Sequence, residues 1–437
     1  MTDRSRRPLR VDVFLAILML ASVRSVFCQA GKVVVLQNAD SLVARVINGE
    51  EVRELVGNVR ILQENVRISC DRAMQFIQRG RFDLIGNVVV NDDSVVLYAP
   101  RGTYLRDERR AEGFDGIRLE DPTTILTARE GRYDVDPRIA VFRQKVVIRD
   151  TTSTVTADSV TYFRNTRFSI AVGNVTVRND QDDVTISGGR FEHAGLRQYS
   201  KMTLRPLLVQ HDSSAAGGDT LLVRAMVMEA FRDTLRCLVA TDSVRILRAD
   251  LAAVCGLAKF FTAGDSILLR TAPVVWYQET QVTGDSMNIY LRRRAIHRVG
   301  VKGSAFAASR SDSLFPERFD QLMGESLTMD FADKKLRRIE VVDRAVSVYH
   351  AYEDSLGNGV NRTSGDRIVM DFVAGKLQDI RFFSGIEGAY YPENMVRQRE
   401  TEYRLPGFEW RATRPTREQF TLSNSARTQQ RTPRSRP

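Results

Sequence analysis

The residues able to do acid–base, nucleophilic or metal chemistry are few and scattered. Four histidines, His193, His211, His297 and His350, lie far apart. None falls in an HExxH pair or beside a GxSxG elbow, and the GxxxxGK[ST] phosphate cradle is also missing. One constellation is regular: Asp265, Asp285, Glu325 and Asp366 each follow a glycine, at Gly264, Gly284, Gly324 and Gly365. Stacked carboxylates of this kind could serve as the acid and base of glycoside hydrolysis. A short polar residue directly after glycine also caps the backbone of a tight turn, and that reading accounts for all four positions without chemistry. Cys70, Cys237 and Cys255 show no CxxC or Cys/His metal spacing. Cys237 and Cys255 are candidates for a disulfide in an oxidising compartment. No cofactor and no metal centre is expected.

What positions these residues is a repeat. Stepping by 29 from Val59 gives Val88, Ile117, Val146 and Val175; the same step from Ile61 gives Val90, Leu119, Ile148 and Val177. Ile68, Leu97, Leu126, Val155 and Val184 are aliphatic in the same register. Cys70, Ala99, Ala128 and Ala157 are small, which makes Cys70 a packed core thiol. Tyr104, Tyr133, Tyr162 and Phe191 are aromatic. Gly-Asn-Val marks the unit at Gly57, Gly86 and Gly173, with Asp115 and Gln144 in the intervening copies. A fixed period of this length signals stacked supersecondary units sharing one core.

Each unit holds two runs of alternating apolar residues, such as Val59-Arg60-Ile61 and Val155-Thr156-Ala157. Period two with β-branched enrichment makes them strands. Turns such as Asn91-Asp92-Asp93 and Arg106-Asp107-Glu108-Arg109-Arg110 separate them. The fold class is therefore all-β: an antiparallel meander with one aliphatic face, solenoid-like in its repetition.

The formal charge of +10 is uneven. Five Arg lie within residues 1–30 and seven within 411–437; the remainder carries 52 basic against 51 acidic residues. The folded body thus lacks the basic stripe of a nucleic-acid binder, and no nucleic-acid partner is expected. Arg4, Arg6, Arg7 and Arg10 precede an apolar stretch from Val13 to Ala21, and Cys28-Gln29-Ala30 ends in a small residue, the pattern of a secretory signal peptide; an uncleaved anchor is the alternative. Residues 401–437, rich in Arg, Thr, Ser, Gln and Pro, read as a disordered tail, either solvated or adhering to anionic headgroups.

The second half repeats more loosely. Gly284-Asp285-Ser286-Met287, Gly324-Glu325-Ser326-Leu327 and Gly365-Asp366-Arg367-Ile368 recur at spacings of 40 and 41. Between the halves, Ser213-Ser214-Ala215-Ala216-Gly217-Gly218 reads as a loop. The expected organisation is a signal peptide over 1–30, a first β domain over 31–195, a linker over 196–235, a second β domain over 236–400, and the tail.

The repeated Gly-Asn-Val strand, the turns before an aromatic in Ala128-Arg129-Glu130-Gly131-Arg132-Tyr133 and Ala157-Asp158-Ser159-Val160-Thr161-Tyr162, and the later Gly-Asp-Ser strands together resemble the OstA-like (organic-solvent-tolerance) family. That family includes periplasmic lipopolysaccharide transport protein A and the N-terminal domain of the outer-membrane assembly protein D. The resemblance covers residues 50–192 and, more divergently, 236–391, so this chain carries two such regions in place of one. It implies a twisted, open β-jellyroll whose interior holds lipid A acyl chains. It also implies a periplasmic location, beside the inner or outer membrane, with lipopolysaccharide, other transport proteins joined by edge-strand addition, and head-to-tail copies of itself as partners. The groove candidates are then Val59, Ile61, Val88, Val90, Ile117, Leu119, Val146, Ile148, Val175 and Val177. Three functional classes follow: a lipid-transfer bridge with an open aliphatic groove, a β-solenoid carbohydrate-active enzyme with a polar cleft, and a structural envelope protein with a sealed core.

Overall fold

A computed structural model describes residues 33–421, apart from 93–94, 180, 182, 213–218, 233–235, 250, 262–263, 293–294, 312–314, 334, 354–355 and 375. Among the described residues all strand pairings are antiparallel and join thirty strands into a single sheet. The sheet folds into two layers because its long strands bend. In Glu50–Gln63 the ladder to Val66–Phe76 is interrupted between Val56 and Val59, and the same interruption falls at Ile85/Val88 and Val172/Val175.

The residues at each interruption adopt two successive left-handed conformations. Gly57 and Asn58 have φ of 79° and 46°, Gly86 and Asn87 75° and 44°, and Gly173 and Asn174 80° and 45°. Glycine, and next to it asparagine, reach this region most cheaply, so the Gly-Asn marker of the repeat is the bend itself. A Cβ at Gly86 would also collide with the Asp71 carboxylate. That carboxylate accepts a hydrogen bond from Asn87 Nδ2 at 2.9 Å, as Asp158 does from Asn174 at 2.8 Å. Where the sequence leaves glycine, the bend persists with other side-chain support: Asp115 pairs with Arg101, and Gln144 bonds Glu130.

Each strand thus has one half in the first layer and one in the second. Just past the bends, Val59 faces Cys70, Val88 faces Ala99 and Val146 faces Ala157. The small-residue column stands where the layers converge. Opposite the bends the layers end in hairpin turns that form the two lips of a mouth. Interior side chains from both layers form one continuous apolar cluster from Leu55 to Ile368. The result is an open, twisted β-jellyroll: an antiparallel meander, as the repeat predicts, with the open jellyroll form that the family resemblance implies.

Three expectations are corrected. First, residues 196–235 are not irregular: strands Tyr199–Thr203, Leu207–Asp212, Asp219–Arg224 and Val227–Phe231 continue the sheet from one half into the other. The 29-residue register lapses because the turns change length while strand pairing continues; the expected loop at 213–218 lies outside the described residues. Second, the tail does not begin at 401. Residues 393–421 run back along the outside of the second layer as a strap. Val396 and Leu405 pack against Phe306, Ala308, Val348 and Val360, and Phe420 packs against Leu207 and Leu222. Third, Cys70, Cys237 and Cys255 are all free. Cys237 opposes Phe261 while Cys255 opposes Val244, a displacement along one ladder well beyond the ~7 Å Cα limit for a disulfide. The signal segment 1–30 and residues 422–437 lie outside the described residues.

Candidate functional site

Seven of the ten groove candidates are sealed. Val59, Ile61, Val88, Val90, Ile117, Val146 and Val175 are 0–5 % exposed, packed between layers that touch. The interior opens further along. A cavity of about 790 Å³ separates the layers in the middle of the sheet, and Leu119, Ile148 and Val177 line it. Val155 and Ile186 continue this wall on the second layer; Phe142, Val160, Ala171, Phe191 and Met202 form the facing wall.

Why the cavity lies there follows from how the mouth is latched. Two columns at the 29-residue step face each other across it: Tyr104, Tyr133, Tyr162 and Phe191 on the first layer, and Gln63, Asp92, Asp121 and Asp150 at the turns of the second. In the first rung the Tyr104 hydroxyl donates to Gln63 Oε1. Beside it Arg109 pairs with Glu64 at 2.8 Å and Asp136 at 2.9 Å. In the second rung the Tyr133 hydroxyl donates to Asp92 Oδ2 at 2.8 Å, and Arg164 Nη1 donates to the same oxygen at 2.9 Å. Asp92 and Gln63 are themselves buried, at 6 % and 1 % exposure. The Asp92 bonds of the second rung, buried and charge-assisted, are the strong kind.

The third rung is unlatched. Tyr162 makes no hydrogen bond to Asp121, although the carboxylate is near enough to help raise the Tyr162 pKa, behind burial as the larger cause. Asp121 is occupied by its own turn: Oδ1 accepts from Thr123 N at 2.9 Å and Thr124 N at 2.8 Å. Asp150 in the fourth rung does the same with Thr152 N and Ser153 N, both at 2.7 Å, and it meets Phe191, which has no hydroxyl. Asx-type capture of a carboxylate by the next two or three amides therefore competes with the cross-mouth latch and wins from the third rung on.

The lip of the first layer is a stacked row of turns. Arg164 N donates to Arg138 O, and Gly195 N donates to Arg167 O, at 3.1 and 3.0 Å. Arg138 and Arg167 border the cavity and are exposed; among the described residues neither has a carboxylate partner. The cavity is thus apolar within and basic at one lip.

The residues read first as chemistry do not assemble. His193 Nδ1 lies 3.0 Å from Ser200 Oγ at the cavity wall, with its pKa lowered by burial and by Arg232. The nearby Asp150 is engaged by its own turn and does not orient the imidazole. His350 is buried beside Asp320 at 3.3 Å, and His211 is exposed. Asp285 directly precedes Ser286–Arg292, while Glu325 and Asp366 lie within two other strands, each at a bend: the Asp285 and Asp366 amides donate to the facing bend, and Arg344 donates to Glu325. Asp265 sits at a mouth turn, its carbonyl accepting from Leu291 N. Among the described residues no group of three or more His, Cys, Asp or Glu could hold a metal, and no helix is long and apolar enough to cross a membrane.

The fold and the cavity define a class: an open two-layered β-jellyroll with an apolar chamber reached from one side. Residues 31–187 match the family model described as OstA-like protein, so this stretch resembles that family in sequence as well as in strand pattern. Among solved structures the chain is similar to LptH from Pseudomonas aeruginosa, the LptA-homologous periplasmic component of the conserved lipopolysaccharide transport device. The identity is 14 %, covering 32 % of this chain and 95 % of that one, with a TM-score of 0.26. No curated protein matches.

Asp121, Tyr162, Arg138 and Arg167 were missed as site residues. The aromatic column was visible in the repeat. The acidic column was equally periodic, and its partner 41 residues away would have paired the two.

Proposed function

We propose that this chain is a periplasmic bridge component that carries lipopolysaccharide toward the outer membrane with its acyl chains in the aliphatic interior. The observation that carries the reading is the chamber of about 790 Å³, within the ~300–1,000 Å³ range of ligand sites, set in a jellyroll whose first part is OstA-like. Each buried methylene contributes about 0.8 kcal/mol, so a twelve-carbon chain gains on the order of 10 kcal/mol before ordering costs. Unpaired edges support the bridge. Among the described residues, Val35–Asn38 and Ser41–Ile47 pair only with Glu50–Gln63 at one end, and Lys376–Phe383 and Glu387–Tyr391 pair only with Leu356–Val373 at the other. Exposed edges accept another strand, from a further copy or another transport protein.

The chamber, and not the sealed ladders, sets the test. Ile148→Asp and Val177→Asp place a charge in the cavity wall. Mass spectrometry of the protein purified from cell envelopes is expected to find lipid A species on the wild type and at least a tenfold loss in both variants, with secreted yield retained. Wild-type protein free of acyl lipid would end the reading.

A further inference from the structure

We propose that the unlatched third rung is an entry port with a built site for an anionic head group, held by Arg138 and Arg167. The inference rests on the lipid-carrier reading and adds where the chain enters and what charge it must bear.

Three observations converge on it. The chamber's lining ends at Val95 on one side and Leu238 on the other, and the packed apolar cluster continues beyond it through Val88 and Val90 and through Val244, Ala253 and Ala258. A ligand therefore enters through the mouth. The mouth is latched at the first two rungs and open at the third, because Asp121 is captured by Thr123 and Thr124. The arginines divide in the same way. Arg109 and Arg164, beside closed rungs, are paired with carboxylates; Arg138 and Arg167, on adjoining turns of the same lip at the cavity, are not paired among the described residues. A guanidinium is a planar, permanently charged fork suited to phosphate or carboxylate oxygens. Two of them at the open end of an aliphatic chamber select an acyl chain ending in an anion over the same chain ending in a neutral group. A phosphorylated glycolipid and a free fatty acid share that chemistry.

The test titrates the full chain with dodecyl phosphate, dodecanoate and dodecanol by displacement of a bound fluorescent apolar reporter. The wild type is expected to bind both anions roughly tenfold or more tighter than dodecanol, the size of one lost charge-assisted contact. The double variant Arg138→Gln/Arg167→Gln is expected to remove that preference while dodecanol affinity stays unchanged. Phosphate held tighter than carboxylate points to a phosphorylated lipid; equal affinity points to either source. Ala171→Trp, which fills the chamber, is expected to abolish all three. Wild-type binding with no charge preference, or a preference that survives the double variant, overturns the head-group site and leaves the carrier reading standing. No binding of any probe, or binding indifferent to Ala171→Trp, overturns both.

Discussion

Cys70, Cys255, Tyr104 and Tyr133 face the interior in their protonated forms, and this sets how the protein responds to alkali. Burial pushes Cys70 from 9.0 up to about 11 and Cys255 to about 12; it pushes Tyr104 and Tyr133 from 10.0 to about 12, with the Asp92 hydrogen bond adding to the effect at Tyr133. The folded chain therefore keeps protons that the unfolded chain releases. When the native state binds more protons, stability falls as pH rises. The loss begins near pH 9, grows through pH 11, and flattens only as the folded groups themselves ionise. A tenfold difference in proton affinity between the two states is worth about 1.4 kcal/mol, so each group costs on the order of 2 kcal/mol by the top of that window. Denaturant midpoints measured from pH 8 to 11 are expected to drop steadily above 9; a flat profile would contradict the burial of these four groups. At this scale the sequence was partly legible. The small and aromatic columns identified Cys70 and the tyrosines as interior. It did not show which rung is open, because that depends on whether Asp121 satisfies Thr123 and Thr124 two and three residues away or Tyr162 across the mouth, and spacing alone does not rank the two.

Among the elements, the strap was the least legible. It has no period, and its pegs Leu405, Phe408, Trp410, Pro415 and Phe420 are spread through an arginine-rich stretch, so composition favoured a solvated tail. It is held by long-range polar clamps that no local pattern reveals. Gln321 Oε1 accepts from Leu405 N at 2.7 Å; Gln281 bonds Glu409 O at 2.6 Å and Arg411 N at 2.9 Å. Arg318, fully buried and stacked on Phe315, donates to Glu393 Oε1 at 2.6 Å and reaches Glu400 at 3.4 Å. Glu393 and Glu400 keep part of their surface in water, so removing the arginine costs less than the about 3–5 kcal/mol of a fully buried pair. Arg318→Met, which keeps the bulk and deletes the charge, is expected to loosen the strap. Brief trypsin digestion should then cut after Arg404 and Arg411, which are followed by Leu405 and Ala412, sites expected to be protected in the wild type. An unchanged digestion pattern would show that the apolar pegs alone hold the segment. The bends, by contrast, were announced by Gly-Asn at fixed intervals; the marker was seen, and its role as the hinge between layers emerged from the broken strand register.

For the whole molecule, the repeat gave the antiparallel strand pairs and their stacking, and strand pairing outlasts the strict period and crosses the region where the spacing fails. The two ends of the sheet expose apolar side chains. Val33, Leu42, Val43 and Val46 are exposed at the first end, and Val373, Ile386 and Tyr390 at the other. An apolar, unpaired edge invites strand addition, and lysine on it is a known deterrent. Leu42→Lys/Val46→Lys is therefore expected to shift sedimentation at micromolar concentration from a self-associating profile toward a monomer, with the melting temperature little changed. A wild-type chain that sediments as a monomer at every concentration would remove self-assembly from the account.

The two-residue bends have one more consequence. Each 29-residue unit of the first half adds two strands to each layer, roughly 10 Å along the axis, and ends at the same hinge geometry with which it began. Whole units are thus interchangeable in register, and deleting residues 58–86 joins Gly57 to Asn87, restoring a Gly-Asn hinge. The length of the molecule is then a ruler graduated in repeats, adjustable by duplication or loss of a unit.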